Sequence, residues 1–165
     1  TAKVEDVRQV VTSDFKQADD VIYLLGETYD ELGGSEFYQL YNELGANVPK
    51  VDFAKAKALY MLVGEANAQG LIQSSHDLSD GGLAVALAEC TFGRDNLGVD
   101  IDLDMEANPV GRLSREAILF SESHSRFVVT VAPEDDDAFK KILGDRAYYL
   151  GLVTGDGRLK IQHQG

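Results

Sequence analysis

Ser74-Ser75-His76-Asp77-Leu78-Ser79-Asp80-Gly81-Gly82 runs straight into Leu83-Ala84-Val85-Ala86-Leu87-Ala88-Glu89. Upstream, Gly70-Leu71-Ile72 reads as the start of a short strand. Downstream, the alanine-rich apolar run reads as a buried helix. The turn between them therefore opens a helix, whose free backbone N–H groups and positive dipole end can hold a phosphate or another anion. Carboxylates beside such a turn can hold Mg²⁺, which keeps several waters and bridges one or two carboxylates to substrate phosphates. Paired glycines let a ligand approach the backbone closely. The same residues also fit a plain structural turn, with Ser79 or Asp80 as N-cap and the glycines shaping the bend.

Working outward, Val21-Ile22-Tyr23-Leu24-Leu25-Gly26 is a continuous apolar run suited to a central strand. Leu32-Gly33-Gly34-Ser35-Glu36-Phe37 is a second glycine-paired turn, with Ser35 as N-cap of a helix that runs to Leu44 and stops at Gly45. Asp52 caps a longer helix closed by Gly70, in which Phe53, Ala56, Leu59, Tyr60 and Val63 share one face and read as core. Val4 to Phe15 alternates weakly and carries charge, as a lead-in or an edge strand would.

On the other side, Val99, Ile101 and Leu103 alternate with Asp100, Asp102 and Asp104. Period two sends all three aspartates the same way, giving a half-buried strand with an acidic outer face rather than a calcium loop. Ser114 to Phe120 reads as a helix and Phe127 to Val131 as a strand. Pro133 opens another helix, acidic early at Glu134 to Asp137 and basic late at Lys140-Lys141. Tyr148 to Val153 and Arg158 to Ile161 read as a terminal hairpin around Gly155-Asp156-Gly157. Strands and helices interleave without repeats or linkers. The expected class is α/β (α+β), a mixed sheet flanked by helices.

Composition narrows the function. The 165 residues include 28 acidic and 15 basic side chains, a net charge of −13. That balance argues against nucleic acid, whose binders need basic patches, and against an anionic membrane surface. A phosphorylated ligand stays within reach, because helix dipoles and a metal ion act locally against the global field. Cys90 is the one cysteine; an internal disulfide is excluded, and a place late in the apolar helix suits a small buried filler. No signal-peptide pattern and no apolar run long enough for a bilayer is present. A cytoplasmic protein is expected.

Two polar loops flank strands, Ser75 to Gly82 and Ser121 to Arg126. They offer Asp77, Asp80, Glu122, His76, His124 and Arg126 plus five serines, a set that could bind Mg²⁺ and a phosphorylated ligand or support acid–base work. No serine sits in a nucleophile elbow, and adjacent Ser and His would face opposite ways on a strand. The His and Cys spacing matches no zinc pattern.

The pattern His76-Asp77-x-Ser79-Asp80-Gly81-Gly82-Leu83, followed by Leu119-Phe120-Ser121-Glu122-Ser123-x-x-Arg126-Phe127, resembles phosphoribosylformylglycinamidine synthase. Thr12-Ser13-Asp14-Phe15-Lys16 with Asp20 to Gly26, and Glu31-Leu32-Gly33-Gly34-Ser35-Glu36, agree with it in the right order. The family belongs to a superfamily with aminoimidazole ribonucleotide synthetase, whose members pair an ATP-binding N-terminal domain with an α/β C-terminal domain. The synthase carries that pair twice. The resemblance is to the second C-terminal domain, here residues 18–165, with residues 1–17 a lead-in from the preceding ATP-type domain.

The resemblance implies a reaction in which ATP and glutamine-derived ammonia convert formylglycinamide ribonucleotide to the amidine in purine biosynthesis. It implies ATP and Mg²⁺ as cofactors of the full-length enzyme. The implied partners are the remaining synthase domains, a glutaminase subunit and a small accessory subunit, with self-association into a homodimer. By position, Asp77 matches a metal-binding Asp. Ser75, His76, Ser79, Asp80, Gly81, Gly82, Glu122, Ser123, His124 and Arg126 fall in the substrate- and nucleotide-binding loops. His124 stands where the first copy carries Gln, and Ser79-Asp80-Gly81 replaces Gly-Ala-Ala. The family's catalytic histidine and main ATP-binding residues have no counterpart in this stretch, so the chain alone is expected to be inactive.

Two other readings remain on the residues themselves. One is a self-contained Mg²⁺-dependent phosphohydrolase using Asp77, Asp80 and Glu122, against which counts the lack of a lysine near either loop. The other is a non-catalytic small-molecule-binding or interaction module with solvated acidic loops. All site readings require the two loops to meet at the rim of one sheet.

Overall fold

The structure is a computed structural model that describes residues 4, 6–93, 95–104 and 113–162. Residues 1–3 and 5 of the expected lead-in, and the last three residues of the expected domain, lie outside the described residues. Strand β1 (Val21–Leu25) is buried at every position, in the interior of a six-stranded sheet of order β2-β4-β1-β5-β3-β6. The other strands are β2 (Ser74–Asp77), β3 (Gly98–Asp102), β4 (Phe127–Val131), β5 (Ala147–Thr154) and β6 (Leu159–Gln162). Every neighbouring pair is antiparallel except β3 and β6, which run parallel. The sheet is mixed, as the interleaved pattern predicts.

Helices cover both faces. On one, α3 (Gly82–Cys90) and α4 (Arg115–Phe120) pack Leu83, Leu87 and Ile118 against Ile22, Leu24, Ile101 and Val128. On the other, α2 (Phe53–Ala68) and α5 (Asp136–Leu143) pack Leu59, Ala66, Phe139 and Leu143 against Val21, Tyr23, Leu25 and Val129. Successive β1 residues thus enter alternate cores, which is why that run is apolar throughout. Each such large side chain contributes about 1.5–3 kcal/mol on full burial. Cys90 is buried in the α3 layer, and burial pushes its thiol up to about 12, so it is an inert filler as read.

Several local expectations change. The strand before the decisive turn begins at Ser74, not Gly70, and its polar residues are themselves the strand. Leu71 and Ile72 instead drop into the α2/α5 core. β2 is an edge: Ser74 meets the Thr130 hydroxyl at 2.6 Å on the inner side, and the Ser75 N–H donates to the Thr12 carbonyl at 3.2 Å on the outer. The lead-in forms a 3-10 turn at Val7–Gln9 and buries Phe15, with no strand among its described residues.

Helix α1 (Glu36–Gln39) is a single turn rather than a helix to Leu44; the chain reverses at Asn42, with φ of 56°. In α2 only Ala56, Leu59 and Ala66 are buried, while Phe53 and Tyr60 are 81% and 50% exposed. Periodicity aligned them with the core stripe, but the face that meets the sheet is narrower than the stripe. β5 and β6 form no hairpin, because β3 lies between them. The Val99 N–H donates to the Arg158 carbonyl at 2.8 Å, and a Cβ on Gly98 would meet the Arg158 backbone at 2.4 Å. That close crossing brings β6 to the far side of β3.

Candidate functional site

Asp77 at the end of β2, Leu25 at the end of β1 and Phe127 at the start of β4 stand side by side in register. The loops following or preceding them, 26–35, 78–81 and 121–126, therefore meet at one rim. Glu122 is the junction. Its Oε1 accepts from the Gly81 N–H at 2.8 Å and from the Glu36 N–H at 2.9 Å. Gly81 is the N-cap of α3, with a left-handed φ of 78° and no side-chain cap of its own. Glu36 opens α1, whose N-cap Ser35 accepts from the Tyr38 N–H. One carboxylate thus closes two helix N-termini, where a negative charge is favoured. Neither Ser79 nor Asp80 caps α3. The Gly81 N–H, one of the groups this turn presents, is held by the chain itself.

The turn also demands glycine. Gly82 has a φ of 64°, and a Cβ there would lie 2.5 Å from the Ser121 carbonyl oxygen. A stacked pair, Phe37 on Phe120 at 4.8 Å between ring centroids, fastens α1 to the end of α4.

Loop 121–126 is fastened from within. Ser121 and Ser123 are buried, and their hydroxyls accept from the Glu31 N–H at 3.2 Å and the Tyr29 N–H at 3.1 Å. Arg126 is 1% exposed. Its guanidinium donates to the Ser123 carbonyl at 2.8 Å, the Thr28 hydroxyl at 3.0 Å and the Ser121 carbonyl at 2.5 Å. Burial pulls its pKa down to about 10 while Glu31 and Glu122 hold it up, so it remains a cation at neutral pH.

Between the loops lies a cavity of about 290 Å³ whose walls include Asp77, Ser79, Asp80, Glu122, His124 and Arg126. Asp77 and Glu122 share it, as the rim arrangement requires. Gly81 and Gly82 shape the turn beneath. Ser123 faces inward to Tyr29. Ser75 and His76 lie off the cavity: the His76 ring sits 2.9 Å from a Glu89 carboxylate oxygen on α3 and 2.6 Å from the Asp77 carbonyl. Tyr60, read in the sequence as core, reaches the cavity wall and meets the Ser125 hydroxyl at 3.1 Å. Thr28, Tyr29 and Glu31 join the site from the loop directly after β1, whose acidic, aromatic composition is their signal in the sequence.

Among the described residues, no three His, Cys, Asp or Glu side chains gather as a metal cluster. Asp77, with its side chain 72% exposed and one oxygen 3.8 Å from the His76 ring Nδ1, offers one carboxylate. That donor chemistry fits a Mg²⁺ ion shared with a ligand phosphate and water, not an all-protein cage. No described helix is long and apolar enough to cross a membrane.

Solved structures share the fold. T. maritima PurL complexed with FGAR is 20% identical with a TM-score of 0.81, over 96% of this chain and 28% of that one. T. maritima PurL complexed with ATP is 22% identical with a TM-score of 0.72, over 96% and 25%. E. coli HypE, a hydrogenase maturation protein, is 16% identical with a TM-score of 0.65, over 93% and 49%. The chain thus spans about a quarter of the PurL chains it matches. The family described as AIR synthase related protein, C-terminal domain, matches residues 17–164. On that match, and on a mixed sheet with helices on both faces, the chain belongs to the AIR synthase related C-terminal domain family.

Proposed function

We propose that this domain forms one wall of the substrate and nucleotide cleft in an enzyme of the phosphoribosylformylglycinamidine synthase type. Such an enzyme converts formylglycinamide ribonucleotide to the amidine with ATP and glutamine-derived ammonia. The observation that carries the reading is the rim cavity shared by Asp77 and Glu122. The fold supports it, since similar structures include PurL complexed with FGAR and with ATP. The partners in this reading are the other synthase domains, the glutaminase and the small accessory subunit; a structure of PurLQS from T. maritima is among the similar ones. The 165-residue chain alone is inactive.

Each loop has a defined part. Glu122 holds the α3 turn in place through Gly81, and Arg126 holds loop 121–126. Ser79, Asp80 and His124 face the ligand from the cavity wall. Asp77 would hold Mg²⁺, which when bound offsets the repulsion between a phosphate and the acidic wall. The wall itself contains Asp77, Asp80 and Glu122 but, among its described residues, no lysine. The Arg126 guanidinium is engaged elsewhere, which also counts against a self-contained phosphohydrolase.

The test is thermal melting of the chain with ATP, ADP or formylglycinamide ribonucleotide, with and without Mg²⁺. A ligand at a hundred times its dissociation constant adds about 2.7 kcal/mol. A nucleotide-dependent rise that requires Mg²⁺ and disappears in Asp77→Asn supports the reading. No shift under any condition, or equal shifts in both proteins, overturns it.

A further inference from the structure

We infer that a second pocket, on the opposite side of the His124-Ser125 partition from the rim cavity, binds a small organic cation (an amine, guanidine or amidine) through the Glu31 carboxylate. The inference does not depend on the synthase reading. The pocket has a volume of about 790 Å³, within the range of small-molecule sites. It lies between loop 26–31, the first turns of α2 and Tyr148 of β5.

Glu31 is 5% exposed. Its Oε1 accepts from the Lys50 N–H at 3.2 Å, whereas its Oε2 has no hydrogen-bond partner among the described residues. A buried carboxylate oxygen without a donor is costly, and an N–H from a bound molecule would satisfy it. No cation among the described residues donates to it. Lys55 is held by Glu27 at 2.7 Å and Arg146 by Asp145 at 3.3 Å. Arg126 balances part of the Glu31 charge, but its hydrogen bonds go to Ser121, Ser123 and Thr28.

The walls favour a cation in two ways. They carry five carboxylates against three basic side chains, a net negative lining that favours a cation over an anion. They also present the rings of Tyr29 and Tyr148, and the Lys55 ammonium already lies 6.0 Å from the Tyr29 ring centroid. An aromatic face beside a buried carboxylate is a setting for an organic cation.

The experiment is calorimetric titration of the chain with agmatine and with benzamidine, on the parent protein, Glu31→Gln and Ala58→Trp. Glu31→Gln keeps the shape and removes the charge; Ala58 is an exposed wall residue on α2, and Trp there fills the pocket. Saturable binding by at least one probe, weakened tenfold or more in both variants, is the expected result. Binding by neither probe, or unchanged affinity in a folded Glu31→Gln or in Ala58→Trp, overturns the inference. If Glu31→Gln fails to fold, Ala58→Trp decides alone. The Mg²⁺-nucleotide melting response is read in the same proteins; retained there, it separates failure of this pocket from failure of the rim site.

Discussion

The Glu122 carboxylate accepts the Gly81 N–H at 2.8 Å, joining a loop that precedes β4 to the helix that follows β2. The same oxygen takes the Glu36 N–H at 2.9 Å. Glu122→Ala removes the acceptor from both helix starts and is expected to cost about 2–3 kcal/mol, since hydrogen bonds to charged groups are worth about 1.5–3. Glu122→Gln keeps an oxygen and loses the charge at the dipoles, at about 0.5–1 kcal/mol. Urea unfolding of the three proteins checks the order; equal stability of parent and Ala variant would refute the bridging role.

Arg126 is the buried pin of loop 121–126. Arg126→Met leaves two carbonyls and the Thr28 hydroxyl without their donor, so a loss of about 3–5 kcal/mol is expected, at about 1–3 for each orphaned group. Arg126→Lys should rescue little, because one ammonium cannot reproduce the fork. Denaturant midpoints measure both.

A methyl group at position 82 tests the turn. Gly82→Ala places a Cβ 2.5 Å from the Ser121 carbonyl at a φ of 64°. The left-handed conformation alone costs about 1–2 kcal/mol, and backbone displacement adds to it. Melting temperature should fall, and the nucleotide response with it.

Asp20 predicts a pH effect. It is fully buried, and neither carboxylate oxygen has a partner of good geometry among the described residues. Burial pushes its pKa above the ordinary value of 3.8, and the approach of Gln17 only partly opposes this. The folded state therefore binds the proton more tightly than the unfolded one. Stability contributed by the protonated form is complete below 3.8 and is lost as pH rises through the raised folded value. Asp20→Asn should be more stable than the parent at pH 7, with the gap closing in acid. Urea unfolding across pH measures it; a gap that is the same at all pH values would refute the assignment.

The central strand was legible at Val21 to Leu25, because a run that enters two cores needs no alternation. The helix starts at Ser35, Asp52 and Ser114 were legible too, since each cap acts on N–H groups two or three residues away. The two loops could be singled out by their polar density. That Glu122 rather than an external anion meets the α3 N-terminus was not legible, because its partner lies 41 residues away. Nor was the unpartnered oxygen of Glu31, which depends on which donors other elements bring within reach.

By itself the sequence determined the strand–turn–helix units, the acidic character of the rim and the inert setting of Cys90. These follow from periodicity, capping and charge, which act over a few residues. Only the tertiary structure decided that β3 separates β5 from β6, that one carboxylate closes two helices, and that Phe53 and Tyr60 lie outside the core. Each of these depends on distances between segments remote in the chain, and those are fixed when the sheet and its two helical layers pack together.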